Sequence, residues 1–216
     1  MKIINRLERK LYRLQIQPFF KYIIFAMAGV YALQLFFPSF GLISLLSLYM
    51  PWVYKGEVWR LLSFLIVPPA QSPLYALLHL YFYYFIGTAL ENKWGQRRFF
   101  LYFVIGAAGA LLAALLTQVG TNYYLFMSMF FAYALIYPEQ EMLLFVVLPI
   151  KMKWLALFNA LLFIYMFING RWPDRVSLIF SLLNLFLFFG GDILNLIRNS
   201  YDLWNRKRVF KSAQRK

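Results

Sequence analysis

The sequence contains no cysteine and a single histidine, His79. Without cysteine, disulfides, thiolate metal sites and thiol nucleophiles are all excluded. One histidine also excludes a metal site built from several imidazoles of this chain. We therefore expect neither a metal nor a cofactor, and His79 is the one imidazole that can act as a base.

Charged residues are also scarce, at 14% of 216 residues, whereas apolar residues make up 62% and aromatic residues 21%. Soluble domains lie nearer to half apolar, because a chain of this size cannot hide more apolar surface from water. The composition therefore predicts a protein whose natural solvent is the lipid bilayer.

Six apolar stretches are long enough, or nearly so, to cross about 30 Å of hydrocarbon as helices. They cover residues 19–37, 72–90, 99–118, 123–137, 154–169 and 177–197. The fourth and fifth are short, as helices buried at the centre of a bundle often are. We predict an all-α integral membrane protein with one membrane domain over 19–197, preceded by a basic arm (1–18) and followed by a basic tail (198–216).

The first loop, residues 38–71, joins the first two stretches and reads PSFGLISLLSLYMPWVYKGEVWRLLSFLIVPPAQ. It is too polar and proline-broken for a simple span, yet too apolar for a solvated loop. We expect it to lie in the membrane interface, with Trp52, Tyr54 and Trp59 at the depth of the lipid headgroups, where amphipathic rings partition.

Lysine and arginine outnumber aspartate and glutamate by 22 to 8, for a net charge of +14. Such an excess suggests nucleic acid as a partner of a soluble protein, but these cations lie between apolar stretches, so we expect no nucleic acid. Eighteen fall on one side of the predicted membrane, and four fall on the other: Lys55, Arg60, Arg171 and Arg175. Because cytoplasmic loops are rich in lysine and arginine, both termini should be cytoplasmic. The basic tail could bind anionic lipid of the bilayer or a cytosolic partner.

Four ordered strings carry motifs. A Trp-Arg pair lies in GEVWRLLS, and a G-x-x-x-E-x-x-x-G pattern lies in FIGTALENKWGQRRFFLYFVIGAAGALLA. The third string runs from the end of the fourth stretch into the fifth and reads YALIYPEQEMLLFVVLPIKMKWLAL. The fourth string, FFGGDI, holds a glycine pair. The motif residues are Trp59, Arg60, Gly87, Glu91, Gly95, Gly190 and Gly191. Together the strings resemble the rhomboid superfamily of intramembrane proteases and Derlins, which implies a six-transmembrane-helix rhomboid-like bundle with an interfacial first loop.

Small residues mark two of the predicted helices. Gly106 and Gly109 stand among alanines in the third stretch, and the pair Gly190-Gly191 lies in the sixth. Small side chains let helix backbones approach closely in membranes. We therefore expect close helix packing at both places.

Active rhomboids carry a serine in a G-x-S-G motif on the fourth helix and a histidine just before the sixth-helix glycine pair. By the resemblance, the histidine position falls on Phe188, which cannot accept a proton from a nucleophile. Counting back from AYALIYP places Tyr123 at the serine position. A shifted register places Ser128 there, about 7.5 Å deeper, but between Phe126 and Met129 instead of glycines. Both registers stay open, and Ser128 can instead donate to the carbonyl four residues back on its own helix.

The family also has an oxyanion asparagine on the second helix. Counting back from Gly87 places His79 at that position and Tyr75 where the family has a further histidine. A slip of one turn makes His79 that further histidine and puts Tyr83 at the asparagine position. Polar groups at membrane depth are costly unless paired, so we expect His79 to hydrogen-bond Asn184; a proton-relay or substrate-contact role is the alternative.

Three more polar residues lie in or beside the predicted spans. Asn159 in the fifth stretch and Asp192 in the sixth are candidates for function, because intramembrane polar groups mark functional sites. Asp192 alternatively lies in a wet vestibule near the cytoplasm. We expect Glu91 to be a structural acceptor for the tight turn at residues 92–95.

These substitutions predict a catalytically inactive rhomboid-like protein, a pseudoprotease similar in logic to Derlins. The resemblance implies that it recognises transmembrane segments of client proteins through a lateral gap between the second and fifth helices. It would then pass them to a cytosolic degradation partner in membrane-protein quality control.

Two alternatives stay open. One is an active intramembrane serine protease that uses Ser128 with His79 or with another non-standard base. The other is a small transporter or channel lined by His79, Asn184 and Asp192, which the absence of inverted repeats disfavours.

The charge distribution predicts the orientation of the chain. A reporter fused after Lys216 should report the cytoplasm, and a reporter inserted near Arg171 should report the opposite side, because eighteen cations lie on one side and four on the other. A C-terminal reporter on the exterior would require an odd number of spans and would contradict the six-helix prediction.

Overall fold

The computed structural model describes residues 17–69, 72–144 and 148–190. Gly191, Asp192 and the predicted sixth stretch beyond residue 190 lie outside these residues, as do most of the basic arm and the whole tail. Within the described residues the chain is mostly helical.

The structure alternates long helices with short helical and extended segments. The helices are α1 (Phe20–Phe36), α2 (Leu42–Leu46), α3 (Met50–Val53), α4 (Arg60–Ser63), α5 (Pro73–Trp94), α6 (Gln96–Thr117), α7 (Tyr123–Ile136), α8 (Met152–Asn169) and α9 (Trp172–Gly190). Short 3-10 turns cover Pro38–Phe40 and Phe64–Ile66. The strands are β1 (Leu48–Tyr49), β2 (Val119–Gly120), β3 (Glu141–Leu144) and β4 (Leu148–Lys151).

Four helices, α5, α6, α8 and α9, are long and apolar enough to cross a membrane, and α1 with the segment after it is a fifth candidate. The remaining apolar helix, α7, has only 14 residues. These helices make the chain a helical multi-pass membrane protein. Their described ends differ from the six predicted stretches by at most five residues.

The core lies where α1, α5, α6, α7 and α9 meet. In chain order, α1 packs on α5, α5 packs on α6 and α7, and α7 packs on α8. Aromatic rings fill the centre, and five of them are fully buried: Phe20, Phe99, Tyr102, Phe126 and Phe188. Without a hydrophobic driving force inside lipid, van der Waals packing of such rings holds the helices together.

The fourth and fifth predicted spans, α7 and α8, occupy different places in the bundle. As expected, α7 is central and buries nine of its 14 residues. The same expectation is wrong for α8, which buries only Met152 and Phe163 within the described part of the chain. Large apolar side chains such as Trp154, Phe158 and Tyr165 are exposed on α8. A helix that is apolar on all sides needs lipid or another apolar surface around it.

The motif residues around the α5–α6 turn each have a separate structural task. A Cβ on Gly87 would overlap the ring of Phe20, so glycine lets α1 lie directly against α5. Glu91 Oε1 accepts a hydrogen bond from the backbone N–H of Phe19, at 3.2 Å, beside the start of α1. Gly95 has a φ of 78° and forms the turn. The expectation that Glu91 serves this turn is therefore wrong, because the unpaired N–H groups at the start of α1 are its partners.

The first loop turns away from the direction of α1. The segment Pro38–Leu46 is bent by 106° from α1, so the chain runs across the end of the bundle. Trp52, Tyr54 and Trp59 are all exposed there, and Lys55 Nζ lies 4.6 Å from the centre of a Trp52 ring. This placement fits the interfacial segment that the sequence predicts. We call this end of the bundle the loop end and the opposite end, which carries β3 and β4, the hairpin end.

Arg60 holds the first loop together from inside. Its guanidinium is buried, pairs with Glu57 at 2.6 Å, and donates to the carbonyls of Ser44 at 2.6 Å and Ser47 at 2.7 Å. The planar fork of arginine can satisfy several acceptors at once. Arg60 therefore ties together parts of the first loop that are about 15 residues apart in sequence.

Asn122, at the start of α7, anchors the last part of the first loop. Its Nδ2 lies 3.0 Å from the Phe64 carbonyl, 3.3 Å from that of Leu65 and 2.9 Å from that of Val67. Beside it, β1 pairs with β2 in antiparallel register, so the first loop is also joined to the end of α6.

The hairpin end is closed by β3 and β4, which pair antiparallel. Glu139, in the turn before β3, accepts hydrogen bonds from Lys153 at 2.6 Å and Lys151 at 2.9 Å. These two ammonium groups hold the pKa of Glu139 below its ordinary value. From the sequence alone, the segment that forms β3 and β4 was predicted only as a loop between the fourth and fifth spans.

The buried position of Arg60 predicts its importance for stability. Arg60→Gln should lower the free energy of unfolding in detergent by on the order of 2 kcal/mol or more, because Glu57 and two carbonyls lose their partner. Lys55→Gln removes an exposed cation of the same loop and is the matched control. Trp59→Ala should fall between the two, since its ring is 48% exposed. Equal thermal stability of all three variants would contradict this role of Arg60.

Candidate functional site

Hydrogen bonds join α6, α7 and α9 at the centre of the bundle. Tyr102 on α6 donates its hydroxyl to Ser128 Oγ on α7 at 2.9 Å. Ser128 Oγ then donates to the Leu125 carbonyl of its own helix at 2.7 Å. We call the group Tyr102, Ser128, Ser181 and Asn184 the polar cluster.

The α9 members of the polar cluster face the same centre. Ser181 Oγ donates to the Tyr124 carbonyl at 2.7 Å, and Asn184 Nδ2 donates to the Tyr102 carbonyl at 3.3 Å. Asn184 Oδ1 is buried without a hydrogen-bond partner in the described part of the chain. The cavity beside these groups has a volume of about 10 Å³. It is too small for a substrate to reach Ser128.

A glycine on α6 makes this arrangement possible. A Cβ on Gly106 would overlap the side chain of Leu125 on α7 and would lie 2.7 Å from Asn184 Nδ2. The expected close approach is thus present at Gly106. Gly109 makes only ordinary contact with Phe180, and no described atom lies within 4 Å of a Cβ built on Gly190. Among the predicted glycine contacts that the structure describes, only the helix contact at Gly106 leaves no room for a larger side chain.

Phe188 occupies the place that the resemblance assigns to the catalytic histidine. Its side chain is fully buried, and its ring lies 5.0 Å from the Tyr102 ring in an edge-to-face arrangement. The structure therefore places Phe188 next to the polar cluster. An aromatic ring there packs well but can take no proton.

The hydrogen bonds of Ser128 do not include a base that could activate it. Its proton goes to a backbone carbonyl, and its oxygen receives the Tyr102 hydroxyl. A serine nucleophile needs a neighbouring base to remove its proton, and neither partner can do so. The bond goes to the carbonyl three residues back, instead of the expected four, in the way that serines satisfy themselves inside membrane helices.

Tyr123 lies at the loop end of α7, away from Ser128 along the helix. Its ring lies 5.3 Å from the Tyr124 ring, and it packs against the apolar group that includes Phe163 and Leu178. The register that places Tyr123 at the serine position therefore puts a partly buried aromatic ring where the family has its nucleophile.

His79 and Asn184 do not pair, so the expected hydrogen bond between them is wrong. His79 Nδ1 donates to the Tyr75 carbonyl at 2.7 Å, and the His79 ring lies 6.1 Å from that of Tyr83. The carbonyl four residues back was within reach, so the histidine needed no partner on another helix. The Tyr83 ring stacks on Phe126 at 4.1 Å and is buried.

Other predicted site residues are satisfied locally or lie outside the described residues. Asn159 donates to the Leu155 carbonyl of its own helix at 3.1 Å. Asp192 and Gly191 lie beyond residue 190. Among the described residues, no three histidine, aspartate or glutamate side chains come together as a metal site would require.

Sequence reasoning missed Tyr102, Ser181 and Asn122. For Ser181 a signal existed, because Ser177, Ser181 and Asn184 follow each other at spacings of four and three residues and thus share one face of a helix. Tyr102 offered no signal, since a tyrosine among apolar residues can equally face lipid.

A second cavity, of about 730 Å³, lies at the loop end under the first loop. Its lining includes Glu57, Arg60 and Asn122, which are the residues that hold the loop in place. Their polar atoms are engaged with each other and with backbone carbonyls. The cavity is therefore shaped by structural contacts.

The polar cluster predicts a pattern of coupling between substitutions. Tyr102→Phe and Ser128→Ala should be coupled in a double-mutant cycle of thermal unfolding by about 0.6 kcal/mol, the average for interhelical hydrogen bonds in membranes. His79→Leu and Asn184→Leu should be additive within about 0.5 kcal/mol, because they share no partner. Strong coupling of the second pair together with none in the first would contradict the structure.

No family model matches this chain, and no curated protein is significantly similar to it in sequence.

Proposed function

We propose that this protein is a catalytically inactive rhomboid-like membrane protein that binds transmembrane segments of client proteins. In this proposal it delivers them to a cytosolic degradation partner as part of membrane-protein quality control. The observation that carries the proposal is α8, a central helix by sequence that instead stands at the edge of the bundle with apolar side chains exposed around it.

The placement of α8 leaves apolar surface that a helix can use. α8 packs on α7 and β4, whereas α5 packs on α1, α6 and α7. Both α5 and α8 expose large apolar side chains: Leu77, Tyr81, Phe158, Leu161 and Tyr165. Helix association inside lipid depends on van der Waals contact over such surfaces. A client helix that entered between the second and fifth predicted spans, α5 and α8, would find two apolar walls.

The short central helix supports the same function. With 14 residues, α7 is about 21 Å long, well below the roughly 30 Å of hydrocarbon in a bilayer. Where α7 is not covered by neighbouring helices, such a mismatch thins the adjoining lipid. Client helices that carry polar residues would be less costly to accommodate where the bilayer is thin.

The absence of a base supports the inactive half of the proposal. Ser128 donates its proton to a carbonyl, Phe188 fills the expected histidine position, and His79 donates to its own helix. The arrangement retains a packed centre with hydrogen bonds and offers no route for proton removal from a serine. The charge bias predicts a cytoplasmic basic tail, where a degradation partner would meet it.

A photocrosslinking experiment tests client binding. A photoreactive amino acid at Leu77 on α5 or Leu161 on α8, in the full chain in native membranes, should capture transmembrane segments of other proteins. The same group at Val104, an exposed apolar position on α6, is the control. Equal capture at all three positions would contradict a specific client surface.

The same material tests catalysis. The purified chain should not label with a fluorophosphonate, and Ser128→Ala should not change the fate of captured clients, because Ser128 has no base. Cleavage of a transmembrane substrate that disappears in Ser128→Ala would overturn the inactive assignment and favour the protease alternative, whatever the crosslinks show.

A further inference from the structure

A second apolar surface of α8 forms a groove with α9. The groove has a volume of about 550 Å³, within the roughly 300–1,000 Å³ of small-ligand sites. We call it the α8/α9 groove, and all its lining residues are apolar: Phe131, Ala160, Phe163, Ile164, Phe167, Leu178, Ile179, Leu182 and Leu185. It is distinct from the α8 face with Leu161 and Tyr165.

Two arginines stand at the loop end of this groove. Arg175 Nη2 donates to the Ile168 carbonyl at 2.7 Å, one residue beyond the groove residue Phe167. On α9, Arg175 precedes Ile179 by about one helical turn, so the two residues share a face. Arg171, at the turn between the helices, has a side chain that is 88% exposed. The groove therefore ends at a positively charged mouth.

The charge at the mouth is only partly balanced. Asp174 Oδ2 lies 3.5 Å from Arg171 Nε, and Asp174 Oδ1 accepts the Tyr124 hydroxyl at 3.2 Å. Arg175 makes no ion pair among the described residues, and its Nε has no hydrogen-bond partner there. One carboxylate against two guanidiniums leaves a net positive charge next to an apolar groove.

We propose that the α8/α9 groove binds one anionic phospholipid, with an acyl chain in the groove and the phosphate at Arg171 and Arg175. The charge complementarity selects a lipid over a client helix, because one molecule must carry both an anionic group at headgroup depth and an apolar chain below it. Trp172, 66% exposed at the same turn, suits that depth. The acyl chain covers the apolar side chains that α8 exposes toward α9.

A bound lipid gives α8 a support that the protein itself lacks. α8 buries only two residues within the described part of the protein. A lipid acyl chain lying against α8 and α9 therefore adds contacts where the side chains of the two helices do not meet. The site goes beyond the proposed client function, since its lining residues do not include Leu161 or Tyr165.

A lipid probe tests the site directly. Phosphatidylglycerol with a diazirine in its acyl chain is added to the purified full chain in detergent, and the crosslinked residues are mapped by mass spectrometry. We expect crosslinks on α8 and α9 within the groove. Mapping separates this site from lipid held by the basic arm and tail. Phosphatidylcholine should label the groove more weakly.

Matched variants separate the parts of the site. Ile164→Trp, or Ile179→Trp if the first does not fold, fills the groove and should abolish its crosslinks. Leu161→Trp and Leu183→Trp, exposed positions outside the groove, should leave them unchanged. Arg171→Gln should lower groove labelling about fivefold, because one cation close to an anionic headgroup is lost.

Three outcomes would overturn the proposal. Groove labelling that is unchanged in both groove-filling tryptophan variants would place the lipid elsewhere. Full competition by free glycerol phosphate would show that the arginines bind phosphate without a lipid. Displacement of the lipid by an uncharged transmembrane peptide at equal concentration would assign the groove to a protein helix.

Discussion

Inside a bilayer, an unpaired polar group is costly, and this constraint organises the described part of the structure. Glu91 accepts from the start of α1, Arg60 binds carbonyls of the first loop, Asn122 reaches three more, and Ser128 bonds both its own helix and Tyr102. Each bond joins segments that apolar packing alone would leave free to slide. The aromatic core then fills the space between these fixed points, and Gly87 and Gly106 allow the required approach.

The same constraint explains the hydrogen bonds at the centre of the bundle. A serine whose proton and lone pair are both engaged, next to a phenylalanine ring, stabilises helix contacts and has no base to activate it. The periphery is different, because α8 has few partners inside the protein and presents apolar side chains on two sides. Function is therefore expected at the lipid-facing surfaces of α8, with α5 on one side and α9 on the other.

Much of the architecture follows from the pattern of residues. The positions of the long helices and the central place of α7 were predicted correctly, since runs of apolar residues reflect the solvent directly. The interfacial position of the first loop stays a prediction. The pairing of His79 with Asn184 and the central place of α8 were predicted wrongly. In both cases the sequence reports polarity and length, and neither quantity says which neighbour a residue faces.

By itself, the sequence determined that the chain has the apolar helices of a multi-pass membrane protein, that it holds one histidine and no cysteine, and where its cations lie, because these depend on composition and order. Only the tertiary structure decided that Glu91 caps α1, that Tyr102 donates to Ser128 and that α8 stands apart with a groove beside α9. Those facts depend on how helices rotate and approach one another. That choice is made by the combined packing of side chains distant in sequence, such as Phe20 against Gly87 and Leu125 against Gly106.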